Sequence, residues 1–443
     1  MKVHIRPAAW MAALAFVGGS LLPAPASADP MTCNTAGYKA VPGLEATCAA
    51  DALTLTWTGQ KTDELRMKLV IAGGTPTIAE LAIRKAPTAE WAIIGTNLTP
   101  EYRMASGWRR LDREAFPELM EQFGSISQEM LDKYKWDAFW DAPLRVPGGE
   151  VAHGGATPPP DGIPGTNQPG LPRKPEEVRR AAATFHAKGV DVTTNGARIE
   201  ASFNGAEMGI FAGRLQFTVY KGTNLIRQEL IAKTDEQSVA YKYDTGLKGF
   251  TIKPTSKVNW RDTSNNWQEN TLDVAVNTNP AVVVAANRLI GAQTPGGAVA
   301  AFPEPHKFFW VREIPLNLGY NWYRKDSATS YSIGIRQAES EADPAFGGHG
   351  AEDTRQNFAL YNARPGTWQH MPMFLLVDSG TAKTSVDAAL TFTRKDHYKA
   401  LPGYLVMARH FHTSPVSRLL ASGALDHQLD DFQLAQTTGV NIY

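Results

Sequence analysis

Apolar and polar side chains alternate in short runs along most of this chain. "LTLTW" at 53 to 57, "MKLVIAG" at 67 to 73 and "AEWAIIG" at 89 to 95 are set apart by turn-forming or polar residues. A period of two sends successive side chains to opposite faces, so these runs predict strands. The pattern is clearest from Ala197 to Phe250, where "GRLQFTVYKGTNLIRQELIAKT" sets two alternating runs around Lys221, Gly222, Thr223 and Asn224. Two such runs joined by a short polar turn form a hairpin. Further strands are predicted at "AVVVAANRLIGA", "FFWVREIPLNLG", "YSIGIRQA", "MFLLVDSG" and "VDAALTFTR", with Gly, Pro, Asn or Asp in the connections. Many strands without long helices between them predict a mainly β chain, built on a large antiparallel sandwich.

Two stretches depart from that rhythm. From Leu111 to Trp140, Phe116, Leu119, Met120 and Phe123 recur three and four apart, which predicts a helical insert. Between Pro143 and Pro175 stand nine prolines and seven glycines in 33 residues, a composition that neither helices nor central strands tolerate. The expected organisation is therefore a β-rich segment over 29–142 carrying the insert at 111–140, a loop or linker over 143–175, and the main sandwich over 176–400.

The N-terminus changes the compartment. Lys2, His4 and Arg6 precede the apolar "AAWMAALAFVGGSLL", and small residues follow at Ala26 and Ala28. This is the pattern of a secretory signal peptide over residues 1–28, and it predicts a secreted or periplasmic protein. No later segment reaches the ~20 apolar residues of a membrane span. In an oxidising compartment Cys33 and Cys48, the two cysteines of the chain, are expected to form a disulfide. The 44 basic and 44 acidic side chains balance, and no basic run is interleaved with aromatics, which argues against a nucleic-acid partner.

The hairpin "GRLQFTVYKGTNLIRQELIAKT" and the nearby "YKYDTGLKGF" resemble the galactose-mutarotase-like supersandwich of carbohydrate-active enzymes. The likeness covers residues 50 to 400 in architecture. It implies a concave sheet face that meets a sugar, and it transfers no catalytic residue. A candidate face is "FPEPHKFFWVREIPLNLGYNWYRKD", which gathers His306, Trp310, Arg312, Glu313, Trp322, Tyr323 and Arg324. Flat rings cover the CH faces of sugars and charged groups bind hydroxyls. The alternative is that alternate residues of these strands are core and rim, with Trp310 and Trp322 packed inside. A lyase or glycosidase would need two convergent carboxylates, for which Glu304 and Glu313 are candidates.

Near the C-terminus "YLVMARHFHTS" ends an apolar run in two histidines. In a strand His410 and His412 share one face, where neutral imidazoles can bind a divalent ion such as zinc, manganese or iron. The run from Tyr404 to Ala408 predicts a strand covered on both faces. It is followed by helical spacing at Leu429, Phe432 and Ala435, then by "VNIY". This strand, helix and strand resembles the opening of the PHP and amidohydrolase families of metal-dependent hydrolases, matched by His410, His412 and Thr413. The resemblance implies a divalent metal activating water against a phosphorylated, ester or amide substrate; "SPVSRLLASG" lacks the family's neighbouring Asp, for which Asp426 and His427 are candidate replacements. It also implies that residues 401–443 are the first βα unit of a barrel that this chain does not finish. The rival reading is a carbohydrate-binding or carbohydrate-active sandwich in which the pair is incidental. His153, His349, His370 and His397 are single histidines in loop-like or strand-edge settings and are read as structural.

Overall fold

The computed structural model describes residues 28–108, 179–237, 239–277, 279–305, 320–336, 361–396 and 402–405, with positions 129, 433, 436–437 and 439–440. Alternation along the chain becomes two facing sheets. The first runs, in spatial order, through β1 (Thr32–Gly37), β9 (Gly189–Thr194), β10 (Arg198–Met208), β11 (Phe211–Tyr220), β12 (Leu225–Lys233), β22 (Gln369–Asp378), β18 (Gly297–Phe302), β17 (Ile290–Thr294), β14 (Lys257–Arg261) and β15 (Trp267–Asn270). Strand β8 (Thr184–Phe185) pairs with β10 beside that path. The second runs through β16 (Ala281–Val284), β19 (Tyr320–Lys325), β20 (Ser330–Arg336), β13 (Val239–Thr251), β6 (Ala92–Trp108), β5 (Thr75–Arg84), β4 (Glu64–Ala72), β3 (Leu53–Thr58) and β2 (Leu44–Cys48). Strands β7 (Arg179–Ala182) and β21 (Tyr361–Ala363) attach to β6 and β13. Among the described residues every pairing is antiparallel except β1 with β9.

The mainly β sandwich read from the sequence is the observed architecture. The hairpin of β11 and β12 pairs from Ala212 with Lys233 to Val219 with Ile226, around the turn that the sequence marks. Its inward set, Leu215, Phe217, Val219, Ile226 and Leu230, joins one contiguous core that also holds Trp57, Tyr241, Phe250 and Tyr331. Its outward set is largely polar: Arg214, Gln216 and Thr218 on β11, Arg227, Glu229 and Lys233 on β12.

Among the described residues, strands from 29–142 and from 176–400 pair within the same sheets. β6 pairs with β13 from Thr99 opposite Lys248 to Trp108 opposite Val239, so the N-terminal strands continue a sheet begun by the later ones. Hydrogen-bonding edges are satisfied by whichever strand fits in register, and sequence distance does not prevent that. Cys33 and Cys48 form the expected disulfide, their Cα atoms 6.3 Å apart. It joins β1 to β2, the end strands of the two sheets. Closing a loop of this size contributes roughly 3 kcal/mol in the chain-entropy view of crosslinks.

One element is of another type. "VDAALTFTR", read as a strand, lies in a helix, α1 (Ala382–Thr393). Thr381 caps it, with its side chain accepting from the Thr384 amide while Thr384 reaches back to the Thr381 amide. Ala382, Val386 and Ala389 recur three and four apart and bury against the outer face of the first sheet, where Leu225, Phe302, Phe374 and Leu376 receive them. That spacing outweighs the alternation of Thr, Phe and Thr at its end. Tyr404 and Leu405, expected in a covered strand, are more than half exposed and belong to no strand.

Residues 1–27, including most of the expected signal peptide, lie outside the described residues, as do the rest of the helical insert apart from Glu129 and the Pro/Gly-rich stretch. Among the described residues no helix is long and apolar enough to cross a membrane.

Candidate functional site

The outer face of the first sheet carries a transverse row of polar side chains. Register places Asn34 opposite Asp191, Asp191 opposite Ser202, Ser202 opposite Gln216, and Gln216 opposite Glu229. Directly paired residues share a face, so five strands contribute one polar line. The side chains bind one another along it. Asn34 and Asn204 each donate to Asp191, at 2.8 and 2.9 Å, Ser202 donates to Gln216 at 2.9 Å, and Gln216 to Thr218 at 3.3 Å. The next row holds Asn204, Arg214, Ile231 and His370.

Glu229 is where these rows meet. Its side chain is 2 % exposed, yet it is a carboxylate on a sheet face, so its charge needs partners. Arg227, two residues earlier on the same face, donates to Oε1 at 2.6 Å. His370 Nδ1 lies 2.8 Å from the same oxygen, and the imidazole is 51 % exposed. Burial pushes the Glu229 carboxyl above the usual carboxylate range, against the opposing pull of Arg227 and His370, while the negative charge of Glu304 adds to the rise. Tyr220, on the neighbouring strand, is also raised by burial, and the Arg227 guanidinium that bonds it opposes the shift. A buried carboxylate thus meets a half-exposed imidazole through Nδ1.

An aromatic surface adjoins the pair. Trp368, two residues before His370, is 47 % exposed. Arg214 and Lys233, from β11 and β12, each place their charge 5.3 Å from its ring centroid. Farther along the face, Phe374 stacks on Phe302 at 5.7 Å and sits under Arg227. The open Trp, the polar row and the Glu229–His370 pair occupy one side of one sheet, beyond the part that α1 covers.

The residues singled out from "NWYRKD" are elsewhere, on the second sheet. Trp322 is 2 % exposed and donates its indole N–H to the Ile335 carbonyl at 3.1 Å. It lies across Gly246 and Gly334, where a Cβ at either position would run into the ring. Tyr323 stacks on Trp260 at 6.0 Å, and its hydroxyl accepts from Asn270. Arg324 is buried in ion pairs with Glu101 and Asp326. These three side chains are engaged in packing and charge pairing. His306, Trp310, Arg312 and Glu313 lie outside the described residues, as do His410, His412, Asp426 and His427. Among the described residues no group of three or more His, Cys, Asp or Glu could hold a metal ion.

No family model matches this sequence, and no curated protein matches it. Among solved structures the chain is similar to galactose-mutarotase-like aldose 1-epimerases. An Escherichia coli K12 protein assigned as an aldose 1-epimerase aligns at TM-score 0.31 and 10% identity, over 74% of this chain and 99% of that one. A galactose mutarotase related enzyme from Lactobacillus acidophilus aligns at 0.28 and 12% identity, over 74% and 98%. A GH36 α-galactosidase from Geobacillus stearothermophilus aligns at 0.30 and 10% identity, over 75% and 41%. At these scores the likeness carries no argument, and the functional reading rests on the side chains.

The local pattern does not mark Arg227 or Glu229 as a site and reads His370 as a single structural histidine. One signal was present: Gln228 and Glu229 are adjacent polar residues inside a strand, so one of them has to face each side of the sheet. Gln228 turns inward, donating to Thr245 and the Gly246 carbonyl, which assigns Glu229 to the outer face.

Proposed function

We propose that this chain binds carbohydrate on the outer face of its first sheet and moves a proton at a sugar hydroxyl through His370. The observation that carries the reading is the shared oxygen of Glu229, a buried carboxylate held between Arg227 and a half-exposed imidazole, one turn of strand from an open Trp. With Glu229 ionised, the shared proton sits on Nδ1 and Nε2 offers its lone pair. Interchange of aldose anomers needs no more chemistry than this. Nε2 takes the C1 hydroxyl proton, the imidazolium gives it to the ring oxygen as the C1–O bond breaks, and closure on either face reverses both steps. Trp368 supplies the flat apolar surface on which a sugar ring stacks.

The reading is tested by measuring sugar binding and anomer exchange, by nuclear magnetic resonance, for wild type and Trp368→Ala. Removing a stacking ring of this kind costs about 1 kcal/mol or more, so binding is expected to weaken roughly fivefold or beyond. Unchanged binding by the variant, or no sugar bound by wild type, overturns it. A divalent ion at His410 and His412 is a separate proposal, supported by their spacing alone. Element analysis of the purified protein tests that one, and a metal-free preparation with full activity overturns it.

A further inference from the structure

Arg214 and Lys233 flank the exposed Trp368, and among the described residues neither forms an ion pair. Of the acids on this face, exposed Glu207 shares Lys233's row two strands away, about 10 Å between backbones, and two others are engaged. Glu229 is buried and shared between Arg227 and His370, and Asp191 accepts from Asn34 and Asn204. Two cations are thus held against one open ring with no carboxylate in ion-pair contact among the described residues. A cation beside an aromatic keeps its hydrogen-bonding capacity for an outside anion, because the ring supplies only its quadrupole.

Their placement relative to the Glu229–His370 pair is set by register. Arg214 is opposite Ile231, and Ile231 is opposite His370, so Arg214 and His370 stand two strand spacings apart, about 10 Å between backbones. Lys233 lies two residues beyond Ile231 on the same face. Both side chains are long, so their charges and the imidazole can reach the two ends of a single monosaccharide. A neutral sugar would satisfy Trp368 and His370 and leave the two cations without a counter-charge.

We propose that the ligand of this site is an acidic aldose, a sugar bearing a carboxylate or a phosphate, with its ring against Trp368 and its anion held between Arg214 and Lys233. The inference rests on the carbohydrate reading above and adds the charge of the substrate. A guanidinium and an ammonium form charge-assisted bonds with either anion, and the planar guanidinium can do so through two N–H groups.

The test compares galacturonic acid with galactose, and glucose 6-phosphate with glucose, by isothermal titration against wild type and the double variant Arg214→Gln/Lys233→Gln. Wild type is expected to bind one acidic sugar about tenfold or more tightly than its neutral counterpart, an advantage that shrinks with added salt. Which acidic sugar shows the gain distinguishes carboxylate from phosphate. In the double variant the advantage of the acidic sugar over its neutral counterpart disappears. Equal binding of acidic and neutral sugars by wild type overturns the inference and leaves the carbohydrate reading standing. A double variant that keeps the preference also overturns it. Absence of binding by all four sugars removes both. The wild-type comparison does not depend on the variant's folding.

Discussion

Replacing Arg324 by methionine lowers the unfolding free energy by about 3 to 5 kcal/mol, measured by chemical denaturation at neutral pH. Arg324 donates from both terminal nitrogens to the two oxygens of Glu101, at 3.1 and 2.7 Å, and from Nε to Asp326 at 2.6 Å. Its side chain is 8 % exposed and that of Glu101 11 %. Ser332 donates to the other oxygen of Asp326, and Arg103 approaches Glu101 at 2.8 Å. Methionine fills the space over Trp322 but leaves two carboxylates in a poorly hydrated place without their main partner. The cost is that of uncompensated charge, which exceeds the net worth of the original pair. Arg324→Lys keeps the charge without the planar fork, so it recovers part of the loss. A loss below about 1 kcal/mol for Arg324→Met would place the pair among ordinary exposed ones.

The same cluster sets an acid dependence. Burial pushes the Glu101 carboxyl up, but Arg324, Arg103 and Lys248 together hold it below the usual range. A carboxyl whose folded value is depressed adds stability above its unfolded value and loses it as pH falls through the folded one. Glu101→Gln is therefore expected to be less stable than wild type at neutral pH and to show a smaller loss on acidification.

Removing the imidazole at His370 is expected to cut proton transfer by about 10² to 10⁴, and Glu229→Gln to cut it comparably, read as the rate of anomer exchange on a bound sugar. The two variants act differently. His370→Ala removes the group that meets the hydroxyl. Glu229→Gln leaves that group in place and presents an amide where Nδ1–H had a carboxylate, so the tautomer and orientation are no longer fixed. Glu229 is a positioning residue in this sense, and its signature is a pH profile. Because burial raises its folded value, the wild-type rate falls with acidification earlier than an ordinary Glu would dictate. Glu229→Gln is expected to alter that limb, because no carboxylate then titrates beside Nδ1.

Stability moves in the opposite sense from Glu101. A raised folded value contributes stability that is fully present below the unfolded value and is lost as pH rises through the folded one. Glu229→Gln should therefore be no less stable than wild type at neutral pH while losing activity. A variant that unfolds readily but retains anomer exchange would assign Glu229 to structure alone.

Much of the sandwich was legible because a strand in a two-layer sheet writes its environment at every second residue. Phe211–Lys233 shows this best, with an apolar set inward and Arg214, Gln216, Arg227 and Glu229 outward. α1 was misread because Val386 to Arg394 also alternates, and the cap at Thr381 and Thr384 precedes the quoted run. Of the site, Arg227 and Glu229 were readable as same-face neighbours two residues apart. His370 was set aside because its partner lies 141 residues away, and nothing local marks it.

The sequence by itself determined the strand periodicity, the turn at 221–224 and the one disulfide that two cysteines allow. Those features depend on neighbouring residues or on a count. Tertiary structure decided that β22 pairs with β12, with Ile231 opposite His370 and Glu229 opposite Pro372. Strand order is set by which edges match in register while both faces stay covered, a condition on the whole sheet that no single segment carries. That pairing brings an exposed imidazole to a buried carboxylate.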